Sequence, residues 1–464
     1  MFKERSPEMR DNNSFIDELK DKLVNPDTNL ERLTAEQQFE LIAAKAATHP
    51  EAIIPKPYDG GSELLDLLTI SKETGKPLHV KFGIDPTGPN IHFGHAVSLL
   101  MLRRFQWMGH HIDLVVGDFT ARIGDPSGRM SEREILTDCA IKRNMSTYIE
   151  QASHILDLEE SKGVKVWFNS EWLSGMTMDK WISMLQKISG SQLLAREDFT
   201  KRLKSGGMVS AAEMLYPLFM AYDSVVIKPD IELGGVDQLL NLHWCRELMK
   251  LHRQPSEVFI LVDLLPGTSG ERDEDGQLTK MSKSKRNYVM VTEDPSEIYG
   301  KVMSIPDEVM WIWYRELTEI SSQDLDRLKS LVTEGKFHPM EAKRLLARAV
   351  VGTFNHFDWG VIESAEKAFN QKFGKQKVLV PEGVEEIYVV AEDRVIDILS
   401  QLTDESKSSI KKMTTKAGSS GIKILEGEKY RDVSTEELIA MKISEGESLV
   451  VKVGKRRYFR LIAK

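Results

Sequence analysis

Two short segments carry side chains that could do chemistry, and both point to a polyanion. In "KFGIDPTGPNIHFGH", residues 81–95, His92 and His95 lie three apart, just beyond a stretch broken by glycine and proline. "HVKFGID" reads as a short buried strand and "HAVSLLMLRRFQWMGH" repeats apolar residues at helical spacing, so the histidines fall where a strand turns into a helix. Residues three apart share a helix face, and a helix N-terminus offers unpaired N–H groups and partial positive charge, which makes this a place for an anion. A metal half-site is the alternative, but "HFGH" has no intervening Glu and no obvious third ligand. In "LTKMSKSKRNYVM", Lys280, Lys283, Lys285 and Arg286 surround Ser282 and Ser284 in a loop after "GERDEDG". Mobile lysines separated by small residues suit a loop that closes on a polyphosphate, although a charge run taken alone is usually a solvated loop.

The elements that must position these residues change class along the chain. Residues 1–78 read as a helical lead-in, with "SFIDELKDKLV" and "TAEQQFELIAAKAA" each starting at a Ser or Thr cap. From 79 to 294, strands such as "HVKFGID", "IDLVVGD", "KVWFN" and "VFILVDLL" alternate with helical stretches, which predicts a parallel sheet with helices packed around it. Residues 295–378 lose the strand signal and read as successive amphipathic helices, including "SQDLDRLKSLVTEG" and "PMEAKRLLARAVVGTFNHF". A linker near "KFGKQKVLVPEGVEE" leads to a last segment, 388–464, with one helix in "VIDILSQL", a Lys-rich stretch "SSIKKMTTKAG" and two short strands.

Bulk properties narrow the class. At 464 residues, 41% hydrophobic and 29% charged, the chain has the composition of a multidomain globular protein, with no run as long as a membrane span. The start, "MFKERSPEMRDNNSF", has no apolar h-region and contains acids, and Cys139 and Cys245 make neither a disulfide framework nor a zinc site, so a cytoplasmic location is expected. A net charge of −9 leaves no global basic footprint. Any nucleic acid must then be held by local patches such as "VVKVGKRRYFRLIAK".

In this order and spacing, "HFGH" at the start of an α/β region and "KMSKS" at its end resemble the two signature motifs of class I aminoacyl-tRNA synthetases. Between them, "GDFTARIGDPSGR", "YPLFMAYDSV" and "ELGGVDQLLNLHWCREL" narrow the likeness to the tyrosyl-tRNA synthetase family, in the bacterial branch that writes "VKxGxDPTxPxIHxGH". "YGKVMSIPDEVM" continues it, and the final segment is similar to the S4-type RNA-binding domain that closes bacterial members. The resemblance implies a Rossmann-like parallel-sheet catalytic domain (79–294), an α-helical anticodon-recognition domain (295–378) and a small α+β S4-like domain (388–464). It implies ligation of tyrosine to tRNA(Tyr) through tyrosyl-AMP, by a homodimer that engages neither membrane nor DNA. ATP would enter with Mg2+ as substrate, with no resident metal and no tightly bound cofactor. The weighed alternatives are a paralogue adenylating a related aromatic acid and a non-catalytic RNA-binding paralogue.

Activation of this kind is an in-line attack by a carboxylate on the α-phosphate, so it requires orientation and charge stabilisation and no side-chain nucleophile. On the family pattern, Thr87, His92, His95, Lys280 and Lys283 would contact the phosphates, and Gly94 would leave room for adenine. Gly235, Asp237, Ser282 and Ser284 would complete the ATP site, with Asp237 and Gln238 taking the ribose and the reacting end of the amino acid. Asp85, Asp125 and Tyr216 would surround the substrate ammonium, and Asp223 would bind the phenolic hydroxyl. Read alone, Asp125 in "GDPSG" is a turn or N-cap residue, and "ELGGVD" a strand end and helix cap. The chain departs from the pattern at Met220, where a glutamine amide usually helps hold the ammonium, and at Lys81, where another branch has a phenol-binding tyrosine. It also carries lysines where the S4 turn is commonly arginine-rich, and extra residues in "LPGTSGERDEDGQLTKMSKS".

Overall fold

The computed structural model describes residues 7–49, 51–54, 64–127, 136–194, 196–373, 384–391, 393–403, 405–414, 421–426, 429–454 and 457–463. They form two compact units, 1–362 and 363–464, with the division inside the helix Trp359–Phe373. The boundaries expected near 78 and 294 therefore lie within the first unit. Most of the expected linker, 374–383, lies outside the described residues.

The first unit is built on a six-stranded sheet: β1 (Ile53–Ile54), β2 (His79–Ile84), β3 (His111–Val116), β4 (Val164–Phe168), β5 (Ile231–Gly235) and β6 (Val258–Val262), in the order β1-β6-β5-β2-β3-β4. All neighbours are parallel except β1, which pairs antiparallel with β6 through Ile53–Ile260 and Ile54–Phe259. The buried run "VFILV" of β6 fits a strand covered on both faces. The chain winds outward from β2 through β3 to β4, then crosses back to lay β5 on the other side of β2. Open α/β sheets bind ligands beyond the C-terminal strand ends at such a reversal. Here those ends lead into 85–92 after β2 and 236–238 after β5.

The lead-in is part of this unit. Thr34 caps the helix Ala35–Lys45, as expected, and Gln37 completes a full capping box that goes beyond the expected cap. The earlier helix starts at Pro7, upstream of the expected cap at Ser14, because Pro is tolerated in the first turn and no breaker follows it. Lys45 Nζ donates to the carbonyls of Arg315, Thr318 and Ile320, each at 2.9 Å, where a helix (Asp307–Leu317) leaves its last acceptors unpaired. Helices Pro295–Ser304, Asp307–Leu317, Ser322–Thr333 and Pro339–Thr353 follow the sheet, in agreement with the amphipathic pattern.

The second unit holds β7 (Glu385–Val389), β8 (Ile422–Glu426), β9 (Lys429–Asp432), β10 (Ser448–Val453) and β11 (Arg457–Ala463), in the order β7-β11-β10-β8-β9. Three helices, Val395–Thr403, Lys407–Thr414 and Thr435–Ala440, accompany this sheet, and Val395, Leu399, Ile410, Leu438, Val451 and Leu461 form its core. The sequence reading of one helix and two strands is too sparse. Its Lys-rich stretch is helical to Thr414, with 415–420 outside the described residues. The missed strands are mostly four or five residues long, below the length at which alternation stands out. Among the described residues, no helix is long and apolar enough to cross a membrane.

Candidate active site

The histidine segment is held by its own backbone. His92 is the N-cap of the helix Phe93–Trp107, and its Nδ1 accepts from Gly94 N at 3.1 Å. The Nδ1 of His95 accepts from His92 N at 3.3 Å, and the two rings stack with centroids 3.9 Å apart. With both Nδ1 atoms used as acceptors, each ring carries its proton on Nε2 and offers an N–H donor. Burial, reinforced by Lys283 and Lys280, pulls His92 down to about 4, so it is neutral at pH 7. A Cβ on Gly94 would fall 2.9 Å from His92 Cε1, so only glycine permits this ring placement.

The lysine loop docks on the same helix end, although nearly two hundred residues separate the motifs. Phe93 N donates to Val289 O at 2.9 Å and Val291 N to Ile91 O at 3.1 Å. Asn287 closes the turn by accepting from Ser282 N at 2.8 Å and donating to Lys280 O at 3.4 Å. Half-buried, Lys283 has its pKa lowered by burial, and its Nζ lies 2.8 Å from where a Cβ on Gly88 would be, next to Thr87. Lys280 Nζ lies 3.2 Å from Asp237 Oδ2, and Ser282 Oγ 3.3 Å from Ser284 Oγ. The extra residues before the loop fold back on themselves, with Thr279 N donating to Glu271 O at 2.8 Å and Arg272 pairing with Glu308 at 2.6 Å. That anchors the approach to the loop on the helix Asp307–Leu317.

Close to this end in the sequence and fold lies a cluster of hydrogen-bonded polar side chains. The helix Ala211–Ile227, capped by Ser210 and Glu213, places Tyr216, Met220 and Asp223 on one face by their spacing of four and three. Tyr216 donates to Asp85 Oδ2 at 2.9 Å, and Thr120 donates to Asp85 Oδ1 at 2.7 Å. Asp223 Oδ1 accepts from Trp172 Nε1 at 2.8 Å and its Oδ2 from Asn169 Nδ2 at 3.4 Å. Burial pushes Asp223 up to about 7, against Lys81 and these two donors, which favour the carboxylate. In a second set of contacts, Asp125 accepts from Ser127 N at 3.0 Å and from Gln238 Nε2 at 2.7 Å. The site thus joins N–H and ammonium donors suited to phosphates with carboxylates suited to an ammonium and a hydroxyl.

Residues 72–374 match the family described as tRNA synthetases class I (W and Y), which is well over half of the chain. The chain belongs to that family. The synthetase is 38% identical over 401 residues to a tyrosine–tRNA ligase of Aquifex aeolicus, covering 86% of this chain and 94% of the relative. A tyrosine–tRNA ligase of Moorella thermoacetica is 37% identical over 398 residues, 84% of this chain and 89% of the relative. In fold it is similar to a tyrosyl-tRNA synthetase of Archaeoglobus fulgidus solved with L-tyrosine, with TM-score 0.54 and 20% identity over 72% of this chain and 99% of that one. A truncated mitochondrial tyrosyl-tRNA synthetase of Aspergillus nidulans gives TM-score 0.55 and 18% identity over 78% of this chain and 99% of that one.

Lys81, expected among the substrate-binding residues, has other surroundings. Lys81 is fully buried, with Nζ 2.6 Å from Ser224 Oγ and 2.7 Å from Glu232 Oε1. It is a partner in an interior ion pair, so phenol recognition is left to Asp223, as expected. Burial opposes both charges, but Lys81 and Glu232 hold each other ionised, while burial and Glu232 push Glu257 well above the carboxylate range. Glu232, Cys245 and Glu257 converge closely enough to suggest metal ligands, but the Lys81 ammonium already supplies the cation they face. Met220 stays on the helix face of Tyr216 and Asp223 and, partly buried, also packs against an apolar cluster that includes Leu242, Phe259 and Leu261. Asn169 and Trp172, which hold Asp223, escaped the sequence reading. The available signal was "FNSEW" directly after strand β4, since the C-terminal ends of parallel strands are where site residues sit.

Proposed function

We propose that this synthetase activates tyrosine with MgATP to give tyrosyl-AMP and transfers the tyrosyl group to the 3′-terminal ribose of tRNA(Tyr). The observation that carries the reading is the docking of the Lys280–Lys283 loop on the stacked His92–His95 pair, together with the polar cluster that holds buried Asp223. The imidazole Nε2–H groups and the two ammonium groups donate to phosphate oxygens as charge grows during attack on the α-phosphorus. Thr87 and the Ser282 and Ser284 hydroxyls lie within the same two loops, and Gly94 and Gly235 keep the adenosine side open. Asp237 takes the ribose, Asp125 accepts the ammonium, and Asp85 supports it by orienting Tyr216. Asp223 accepts the phenolic hydroxyl. Mg2+ enters with ATP as part of the substrate. Charging total tRNA with each of the twenty amino acids tests the reading: tyrosine alone should be transferred, and another amino acid, or none, would overturn it.

The helices of 295–378 are proposed to read the anticodon, and the lysine-bearing second unit to hold the RNA backbone. A homodimer is proposed on the family likeness, with exposed Met178 and Ile182 as apolar surface that it would cover. The unbonded Cys139 and Cys245 fit a reducing cytoplasm.

Two results follow at the tyrosine pocket. The ionised form of Asp223 is the better acceptor, and its pKa near 7 means that the free enzyme protonates it as pH falls. Tyrosine affinity should be flat above about pH 8 and drop roughly tenfold per unit below about pH 6. Titration calorimetry against pH would show this, with Asp223→Asn flattening the profile. Met220→Gln should restore an amide donor–acceptor and tighten tyrosine by up to roughly 1.5–3 kcal/mol, less the cost of setting an amide against Leu242 and Leu261. A wild-type preference for a 4-hydroxyphenyl acid without the amine would instead favour the aromatic-acid paralogue.

A further inference from the structure

Asp125 ends a line of side chains that runs into the interior. Gln238 Nε2 donates to Asp125 Oδ2 at 2.7 Å, Asn241 Nδ2 donates to Gln238 Oε1 at 2.9 Å and also to Ser127 Oγ at 3.2 Å and Asp125 Oδ1 at 3.5 Å, and Arg196 Nη1 donates to Asn241 Oδ1 at 2.8 Å. Arg196 and Asn241 are buried, at 5% and 0% exposed. The guanidinium is clamped from its other edge, with Nε and Nη2 on Asp198 at 3.1 and 2.8 Å and Nη2 on Ser127 Oγ at 3.1 Å, and it lies 5.0 Å from the Phe199 ring. Four separate parts of the chain meet here: the loop after β3, the segment before the helix Glu197–Lys204, the turn after β5 and the helix Leu239–Leu251.

Each end of this line has a single polarity. A guanidinium can only donate and a carboxylate can only accept. Each amide between them must therefore turn its oxygen toward Arg196 and its N–H toward Asp125, so the sense of both amides is set by the chemistry of the ends. Without the guanidinium, the buried Asn241 oxygen loses its donor, at a cost larger than the hydrogen bond's net worth. The acceptor-only carboxylate still favours Gln238 as donor, so the loss falls on Asn241: its amide is no longer held where it donates to Gln238 Oε1 and approaches Asp125 Oδ1, and the support of both groups is lost.

We propose that Arg196, acting through Asn241, is a positioning residue for the α-ammonium group of the substrate: it holds the Asn241 amide where it supports Gln238 and Asp125, keeping that carboxylate aimed at a site where Met220 provides no amide. This rests on the reading of Asp125 as the ammonium acceptor. Arg196 itself touches no reacting atom, so its effect belongs to amino-acid binding and not to the chemical step.

The test compares tyrosine with 3-(4-hydroxyphenyl)propionate, which keeps the phenol and carboxylate and lacks the amine. Tyrosine dependence of adenylate formation and the binding of both ligands are measured for wild type, Arg196→Met, Arg196→Lys and Asn241→Asp. Arg196→Met should weaken tyrosine by about tenfold or more, with the rate at saturating tyrosine and the affinity for the amine-free acid unchanged. Arg196→Lys restores a donor-only end and should recover most of the loss. Asn241→Asp, nearly isosteric, places an acceptor-only group in the line and should weaken tyrosine as Arg196→Met does. Equal weakening of both ligands by Arg196→Met, or undiminished tyrosine affinity in Arg196→Met or Asn241→Asp, overturns the proposal. If wild type itself binds the two ligands alike, the assignment of Asp125 fails instead.

Discussion

Replacing His95 with alanine is expected to slow formation of tyrosyl-AMP by roughly 10²–10³-fold while changing tyrosine affinity little. The reason is geometric. His95 Nδ1 is taken by the His92 backbone N–H at 3.3 Å, which leaves Nε2–H as the donating atom at a helix end already biased toward anions. A donor aimed where charge develops contributes mainly in the transition state, so its loss falls on the rate. Lys283→Ala should behave alike, since the Lys283 ammonium reaches the Gly88 segment beside Thr87. Rapid-quench measurement of the adenylate under single-turnover conditions, with tyrosine and ATP varied separately, provides the check. A large rise in the tyrosine dissociation constant at unchanged rate would remove both residues from the phosphate site.

The second large effect concerns stability, at the opposite end of the same helix. Arg103 and Arg104 are buried and converge on Glu319, at 3.1 and 2.8 Å, and Arg103 also donates to Thr353 O at 3.0 Å. Although burial opposes its charge, Arg104, Arg103 and Lys45 hold Glu319 down to about 2. Glu319→Ala would leave two buried guanidinium groups uncompensated and should cost about 3–5 kcal/mol, read from denaturant midpoints at pH 7. The pH dependence has a defined sign. Because the folded value lies below the ordinary 4.5, the contribution of Glu319 is fully present above about 4.5 and is lost as pH falls toward 2. The wild-type protein should lose stability through that window more steeply than Glu319→Ala. A variant as stable as wild type would mean that water or a neighbouring carboxylate takes over the pairing.

Much of the architecture is legible in the order of residues because its signals are local. Thr34 announces a capped helix, the apolar run of β6 a strand covered on both faces, and the glycine and proline of 83–89 the break before His92. The spacing of Tyr216, Met220 and Asp223 likewise places them on one helical face before any fold is known. The pairing of "HFGH" with "KMSKS" comes from their order along the chain. Their contact through Phe93, Val289, Ile91 and Val291 is a tertiary fact.

What the fold alone decides is which polar groups share an interior. Lys81 lies on a strand covered on both faces, where alternation does not say whether a charged side chain meets a ligand or a counter-ion. The register of β2 against β5 and the helix Ala211–Ile227 seat it on Glu232 and Ser224. Asn169 and Trp172 reach Asp223 only because β4 ends near that helix, and Arg196 reaches Asn241 across 45 residues of chain. Hydrogen-bonding direction belongs to each residue type and can be read from a sequence, but a partner is chosen by distance, and distance between remote residues exists only once the sheet has closed.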